Sequence, residues 1–513
     1  MAADTDTSAT GRHDVPVGII GAGTMGEGIA QVAAVAGHQV QLFDTNAPLV
    51  QAAIGRIEQR LKRAVEKGRL TATAAAAAIA RIDAVGALAG LAGAGLVVEA
   101  IKEDLGVKRE VFAQLEEVVG DDAILTSNTS SLSITALAAT LRRKGRFAGL
   151  HFFNPAPLMA LVEIVPGLDS NPEVLDTLHA LMRQWGKSPV YAPCVPGFIV
   201  NRVARPFYAE ALEVLGEGAA PVAAIDRAIR GAGYAMGPFE LMDMIGHDVN
   251  FAVTSTVFNA TFGDARYRPS PIQQELVASG RLGRKSGRGF YRYGDNAEDV
   301  ASAPAAAAQP RRPERIESGD TALRTALRGA GLEVIERDEL GGWTLVDGIA
   351  LAMTDGTGAT LRQAPDGRSD VVLHDLVLDW SAGGAVAVAA AEVARPDALA
   401  IVANLFAWLG RDVVSVGDVA GLVVARTVAM LVAEGAEAVA RGVAAGEVDL
   451  AMRLGAGHRT APLQWCDAIG AATFVNLLDK LEDHYRDTRH RVPPLLRRMA
   501  ATGRRFHTGD TER

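Results

Sequence analysis

Two cysteines, Cys194 and Cys466, are all that 513 residues carry. So few thiols give neither a disulfide framework nor a metal cluster, and they fit a reducing compartment. Aromatic residues are scarce too, at 5% against 49% hydrophobic overall. Much of that hydrophobic share is alanine, which points to a helix-rich α/β protein. No apolar run reaches the roughly 20 residues of a membrane span. Positive charge is in deficit, with a net charge of −9. That argues against nucleic acid as the main partner while leaving room for local basic patches facing phosphates. The first dozen residues lack a hydrophobic stretch, so 1–13 reads as a disordered tail rather than a signal peptide, and cytoplasm is the expected location.

A chain of this length is too long for one core, and two to four domains are expected. Val15–Ile20 reads as a buried parallel strand, followed by Gly21-Ala22-Gly23-Thr24-Met25-Gly26 and a helical stretch through Ala36. A second strand, Gln39–Phe43, ends in Asp44, 23 residues after the first glycine. A lone GxGxxG is weak, but strand, glycine loop, helix, strand and acid form the full dinucleotide-binding βαβ context. Gly21 allows the tight turn, Gly23 lets backbone approach a pyrophosphate, and Gly26 permits close helix–strand packing. Asp44 suits the ribose hydroxyls and repels a 2′-phosphate, favouring NAD over NADP.

From Asn46 to Ala80 the pattern is helical and basic, with Arg60, Lys62, Arg63, Lys67 and Arg69 read mostly as a solvated face. Leu96–Ile101 is another buried strand, followed by Glu103 and a helix bearing Lys108. Ala123–Thr126 leads into Ser127-Asn128-Thr129-Ser130-Ser131. Some of these hydroxyls cap a helix, and at least one is placed to face a ligand at a strand exit. Phe147–Leu150 then delivers His151-Phe152-Phe153-Asn154-Pro155, and Glu163 sits inside the apolar run Leu161–Val165. A carboxylate in such a strand is costly to bury unless a cation or donor meets it, and His151 is the nearest candidate. A His held by a Glu moves protons near neutral pH. From this stretch alone, a satisfied core histidine and a water-facing edge carboxylate account for the pattern equally well. Asn201 is polar at an apolar helix start and is read as a structural hydrogen-bonder or a ligand contact.

Taken in order, the glycine loop, Val98-Glu99-Ala100, Ser127–Ser131, His151–Pro155, Pro196-Gly197-Phe198, Asn201-Arg202 and Met236-Gly237-Pro238 resemble the L-3-hydroxyacyl-CoA dehydrogenase family. The resemblance runs from about Val15 to Tyr293 and implies a Rossmann NAD-binding domain followed by an all-helical domain. It implies His151 as catalytic acid/base, Glu163 as its orienting partner, and Ser130 and Asn201 beside the substrate 3-oxygen. Gly21, Gly23, Gly26, Asp44, Glu103, Lys108, Ser130, Asn154 and Lys285 are implied to line the NAD site. Lys62 is the candidate for coenzyme A.

Asn296–Pro313 turns to Ala, Pro, Gln and Arg and reads as a linker, bounded at 295–318. Beyond it, Gly331–Ile335, Trp343–Val346, Ile349–Ala352 and Val371–Leu378 read as strands of a reduced α/β region without a second GxGxxG. Val419–Arg426 then echoes Val195–Arg202 at an offset of 224 residues, and Gly455–Gly457, Pro462 and Asp467–Gly470 keep that offset. Asp226 and Asp449 slip by one residue. Ala425 replaces Asn201, so one active site per chain is expected. The expected boundaries are 14–195, 196–294, 319–418 and 419–513, with the duplicated helical region pairing inside the chain or a homodimer forming. By resemblance to the long bacterial members of the family, the expected substrate is 3-hydroxyadipyl-CoA of phenylacetate catabolism. 3-Hydroxybutyryl-CoA is the alternative. A free hydroxy acid and a non-catalytic NAD-binding scaffold are the more distant readings.

Overall fold

The computed structural model describes residues 15–294 and 310–507. The expected tail 1–13 and most of the expected linker lie outside the described residues. The chain divides after Asn201 into two compact units. Among the described residues no helix is long and apolar enough to cross a membrane.

The first unit is a sheet of eight strands: β1 Val17–Ile20, β2 Val40–Phe43, β3 Ile82–Ala84, β4 Leu96–Glu99, β5 Ile124–Ser127, β6 Phe147–Phe152, β7 Leu161–Pro166 and β8 Ser188–Tyr191. Their spatial order is β3-β2-β1-β4-β5-β6-β7-β8, the doubly wound arrangement whose ligands bind at the strand exits. Strands β1, β4 and β5 are buried along their whole length, as parallel strands covered on both faces must be. All neighbours run parallel except β6 and β7, which are antiparallel. The basic helix Ala47–Glu66 turns Val50, Ala53, Ile57 and Leu61 inward at helical spacing. Its expected solvated face needs one correction. Arg60 is not free in water, because its guanidinium reaches Glu27 at 2.6 Å and Gln31 at 2.8 Å, and Arg56 joins it on Glu27. Glu27 is buried on the helix after the glycine loop, and a buried carboxylate recruits whatever cations can reach it.

The second unit holds two helical copies and a seven-stranded sheet: β9 Ile316–Ser318, β10 Ile335–Glu336, β11 Trp343–Val346, β12 Ile349–Met353, β13 Val371–His374, β14 Gly384–Ala390 and β15 Arg411–Ser415. Three expectations change here. Ile316–Ser318, read as linker, pairs with β10 and β11. The strand expected at Gly331–Ile335 shrinks to β10. Gly331 takes φ 82 at the end of the helix Thr321–Gly329, and the Leu332 amide returns to Leu327, a helix stop that keeps 331–334 out of the sheet. The strand expected to reach Leu378 ends at His374.

The repeat read at an offset of 224 is structural. Asp226 accepts the amides of Phe239 and Glu240, and Asp449 those of Leu463 and Gln464. Each copy's first long helix then offers the other a buried glutamate. Arg426 reaches Glu210 at 2.8 Å, while Arg202 and Arg266 reach Glu434 at 3.3 and 3.0 Å. Arg202 and Arg426, like Glu210 and Glu434, are 224 residues apart. At the rim Arg491 pairs with Asp264 and Arg268 with Asp487. Reciprocal contacts of this kind define a two-fold interface, here closed within one chain.

Burial alone would raise the Glu210 and Glu434 carboxyls, but the facing arginines outweigh it and hold both below the usual range. Their contribution to stability is therefore full above the unfolded pKa, about 4.3, and fades as pH falls below it. Replacing Glu434 by Gln takes the carboxylate from buried Arg202, leaves buried Arg266 with Glu437 alone at 3.8 Å, and is expected to cost about 3–5 kcal/mol. Urea unfolding at pH 7 checks the cost. The difference from the parent should shrink as the measurement is repeated at lower pH.

Candidate active site

The one antiparallel step in the first sheet builds the site. Its register sets His151 directly opposite Glu163, so twelve residues of chain become a cross-strand neighbour. His151 Nδ1 lies 2.7 Å from Glu163 Oε2, with the two residues 6% and 0% exposed. The water-facing alternative for Glu163 is thereby removed. A carboxylate oxygen accepts, so Nδ1 is the nitrogen that carries the proton and Nε2 is the one left as an acceptor. The second carboxylate oxygen accepts the amides of Ile199 and Val200, both at 3.0 Å. Those amides are presented by a turn in which Gly197 and Phe198 take φ 78 and 47. The Phe153 and Phe198 rings flank the imidazole at 4.6 and 5.7 Å.

Asn201 follows the amide pair directly and is half-buried on the helix Val200–Val203. Ser130 lies past the exit of β5, the parallel neighbour of β6, and is half-buried with its amide on Glu103 at 3.1 Å. Asn128 ties the same edge together by accepting the Phe152 amide at 2.8 Å. Ser130, His151 and Asn201 therefore belong to neighbouring segments at one edge of the sheet, where a small polar substrate group can be held.

The glycine loop follows β1. Gly21 has φ 101 and faces the Ala100 backbone, and a Cβ on Gly26 would collide with the Gly21 carbonyl. Beside Gly23 nothing lies within 4 Å, so its missing side chain leaves open space at the helix N-terminus, as a pyrophosphate requires. Asp44 accepts the Ala22 and Asn46 amides, each at 2.9 Å, which fixes one carboxylate oxygen to the loop and turns the other toward the start of the next helix. This donor set fits an NAD dinucleotide.

Glu99, 0% exposed, accepts Lys108 at 2.6 Å, Ser127 at 2.6 Å and the Ile101 amide at 2.7 Å. Lys108 also reaches Glu103 at 3.3 Å. Burial works against charge on Glu103, but Lys108, Thr129, Ser131 and the Ser130 amide hold its carboxyl below the usual range. Lys108 is thus walled in by two carboxylates and positions Glu103 rather than standing open to a ligand. Glu99 and Ser127 were named only as parts of motifs. The signal that could have found Glu99 is the one that found Glu163, an acid in a buried strand. Asn154 and Lys62 are exposed. Lys285 belongs to the second unit, where its ammonium lies 2.5 Å from Asp248.

Family models match most of the chain. Residues 16–194 match the 3-hydroxyacyl-CoA dehydrogenase NAD binding domain, and 197–293 and 421–508 each match that enzyme's C-terminal domain. Residues 351–419 match the 3-hydroxybutyryl-CoA dehydrogenase reduced Rossmann-fold domain. The chain is 43% identical to the 3-hydroxyadipyl-CoA dehydrogenase of Escherichia coli K12, covering 94% of this chain and 97% of that one. It is 41% identical to the probable 3-hydroxybutyryl-CoA dehydrogenase of Bacillus subtilis, over 54% of this chain and 96% of that one. A crystal structure of 3-hydroxybutyryl-CoA dehydrogenase from Escherichia coli K12 superposes with a TM-score of 0.86 at 42% identity, covering 95% of this chain and 98% of that one.

General acid–base help is worth roughly 10²–10⁴ in rate. His151→Ala is expected to lower kcat by that much and, because it leaves one oxygen of the buried Glu163 without its donor, to lower the melting temperature without unfolding the protein at room temperature. Glu163→Gln keeps the size but loses the charge and one acceptor, and should depress kcat more than it raises KM. Steady-state NADH formation with a thermal melt on each variant reads both.

Proposed function

The chain belongs to the 3-hydroxyacyl-CoA dehydrogenase family, and we propose that it oxidises the 3-hydroxyl of 3-hydroxyadipyl-CoA within phenylacetate breakdown in the cytoplasm. The observation that carries the chemistry is the buried His151–Glu163 pair at the edge of an NAD-binding sheet. NAD, when bound, supplies the hydride acceptor. His151 takes the hydroxyl proton at Nε2 during oxidation and returns it during reduction. Glu163 holds the imidazole tautomer and stabilises its charged form. Ser130 and Asn201 hold the 3-oxygen. Gly21, Gly23, Gly26, Asp44, Glu103 and Asn154 serve the dinucleotide, with Lys108 acting through Glu103, and Lys62 on its exposed helix face serves coenzyme A.

The choice of acyl group rests on full-length likeness to the 3-hydroxyadipyl-CoA enzyme, tandem second half included. 3-Hydroxybutyryl-CoA is the second reading, favoured by the short relatives and by the superposing structure of that name. NADH absorbance with purified protein, NAD and both thioesters separates them. A clear kcat/KM preference for the adipyl compound is expected, and a preference for the butyryl compound would move the protein to short-chain metabolism with its proton relay unchanged.

The reciprocal Glu210 and Glu434 contacts support a further part of the reading, that the second helical copy takes the place of a partner subunit. A chain truncated after Gly294 exposes Arg202 and Arg266 without Glu434 and is expected to dimerise or aggregate in size-exclusion chromatography. A fully active monomer would count against this pairing.

A further inference from the structure

The second sheet repeats the geometry of the catalytic edge with the catalysts removed. Strands β13 and β14 are antiparallel and β14 and β15 parallel, as β6, β7 and β8 are. The Asp375 amide donates to Ala387, so Asp375 and Ala387 occupy the ladder positions of His151 and Glu163. Asp375 accepts the amides of Val423, Val424 and Ala425 at 2.9, 2.7 and 2.7 Å and of Leu376 at 2.8 Å. One acid here reaches the turn that Glu163 reaches in the first unit, and no proton relay remains.

In front of this edge lies a cavity of about 310 Å³, at the small end of ligand pockets. Leu376, Val386 and Trp465 supply apolar wall, and Arg411 and Arg459 bring charge. Arg411 is 4% exposed and forms no ion pair among the described residues; the Asp379 carboxylate acts on it from longer range and does not offset the burial that holds the guanidinium below its usual range. It donates to the Asp379 carbonyl and sits 5.7 Å from the Trp380 ring centre, while its Nε is buried with no partner. Arg459 is exposed and has no hydrogen-bond or ion-pair partner among the described residues. The third cation on the wall, Arg230, is held by Glu240. Of the two acids on the wall, Asp375 is committed to four amides, and the exposed Asp379 accepts Ser381 at one oxygen and acts on Arg411 only at longer range. A buried guanidinium with only a distant carboxylate to offset it is costly, and an anion in the cavity lowers that cost.

We propose that this cavity binds a small organic carboxylate, its anionic head on Arg411 and Arg459 and its short apolar body against Leu376, Val386 and Trp465. The volume excludes a dinucleotide, and the apolar wall distinguishes a carboxylate with a hydrocarbon body from a bare inorganic anion. The site is separate from the oxidation chemistry, since its lining contains none of the groups that serve it.

Isothermal titration of the full-length protein with hexanoate, and with inorganic phosphate for comparison, tests the proposal. Hexanoate should bind with a Kd below about 10 mM and more tightly than phosphate. Arg411→Met and the exposed Arg459→Ala should each weaken it by about tenfold, with NADH turnover at saturating substrate unchanged in Arg459→Ala. Three results would overturn it: no heat from hexanoate, phosphate binding as tightly, or a hexanoate Kd unmoved by Arg459→Ala. The last places the acid elsewhere on the protein.

Discussion

A single buried carboxylate organises the catalytic edge. Glu163 has no exposure and would be intolerable in the middle of an apolar strand without donors. His151 meets one oxygen and the Ile199 and Val200 amides meet the other. Satisfying it requires β7 to run against β6 in one register only, because a shift of one residue would turn Glu163 to the opposite face. It also requires the tight turn at Gly197 and Phe198, whose positive φ values aim two amides inward. The position of Asn201, the next residue along, follows from that turn. The electrostatic demand of one side chain thus fixes both the imidazole tautomer and the start of the helix that carries the polar group beside it.

The duplicated half shows which part of that arrangement is architecture and which is chemistry. Its sheet keeps the strand directions and its turn keeps the positive φ at Gly421 and Leu422, but Asp375 alone satisfies the amides. Capping the turn is a folding requirement met in both halves, whereas Asp375, Ala387 and Ala425 stand where the first half has His151, Glu163 and Asn201. The helical copies kept their arginine–glutamate exchange on both sides. A buried glutamate can lose its arginines only at the cost of an unpaired charge, and the exchange is mutual.

Much of the first half was legible in advance. The glycine loop with Asp44, the buried acid in Leu161–Val165 and the repeat at 224 residues each reflect a local rule: backbone freedom, desolvation and duplication. What escaped did so for physical reasons. Strands β14 and β15 were missed because an alanine-rich run such as Gly384–Ala390 carries no β-branched signature strong enough to separate strand from helix. Gly331–Ile335 looked like a strand because its apolar residues outweighed the glycine that stops the preceding helix. Arg60 looked solvated because the helix pattern is blind to Glu27 on a neighbouring helix. Lys108 was placed in the NAD site, whereas its ammonium is enclosed by Glu99 and Glu103.

The amino-acid sequence by itself determined which groups the chain offers: a histidine and a buried acid twelve residues apart, glycines that leave room at a helix N-terminus, and the single occurrence of that set. These are properties of residue type and short spacing, and short-range rules suffice to read them. Tertiary structure alone decided pairing. It set His151 against Glu163 across an antiparallel ladder, gave Glu210 and Glu434 to arginines some two hundred residues away, and left Arg411 buried beside an arginine-bearing cavity. Each of these depends on which distant strands and helices lie side by side, and the cost of leaving a charge unpaired is paid only once burial has brought them together.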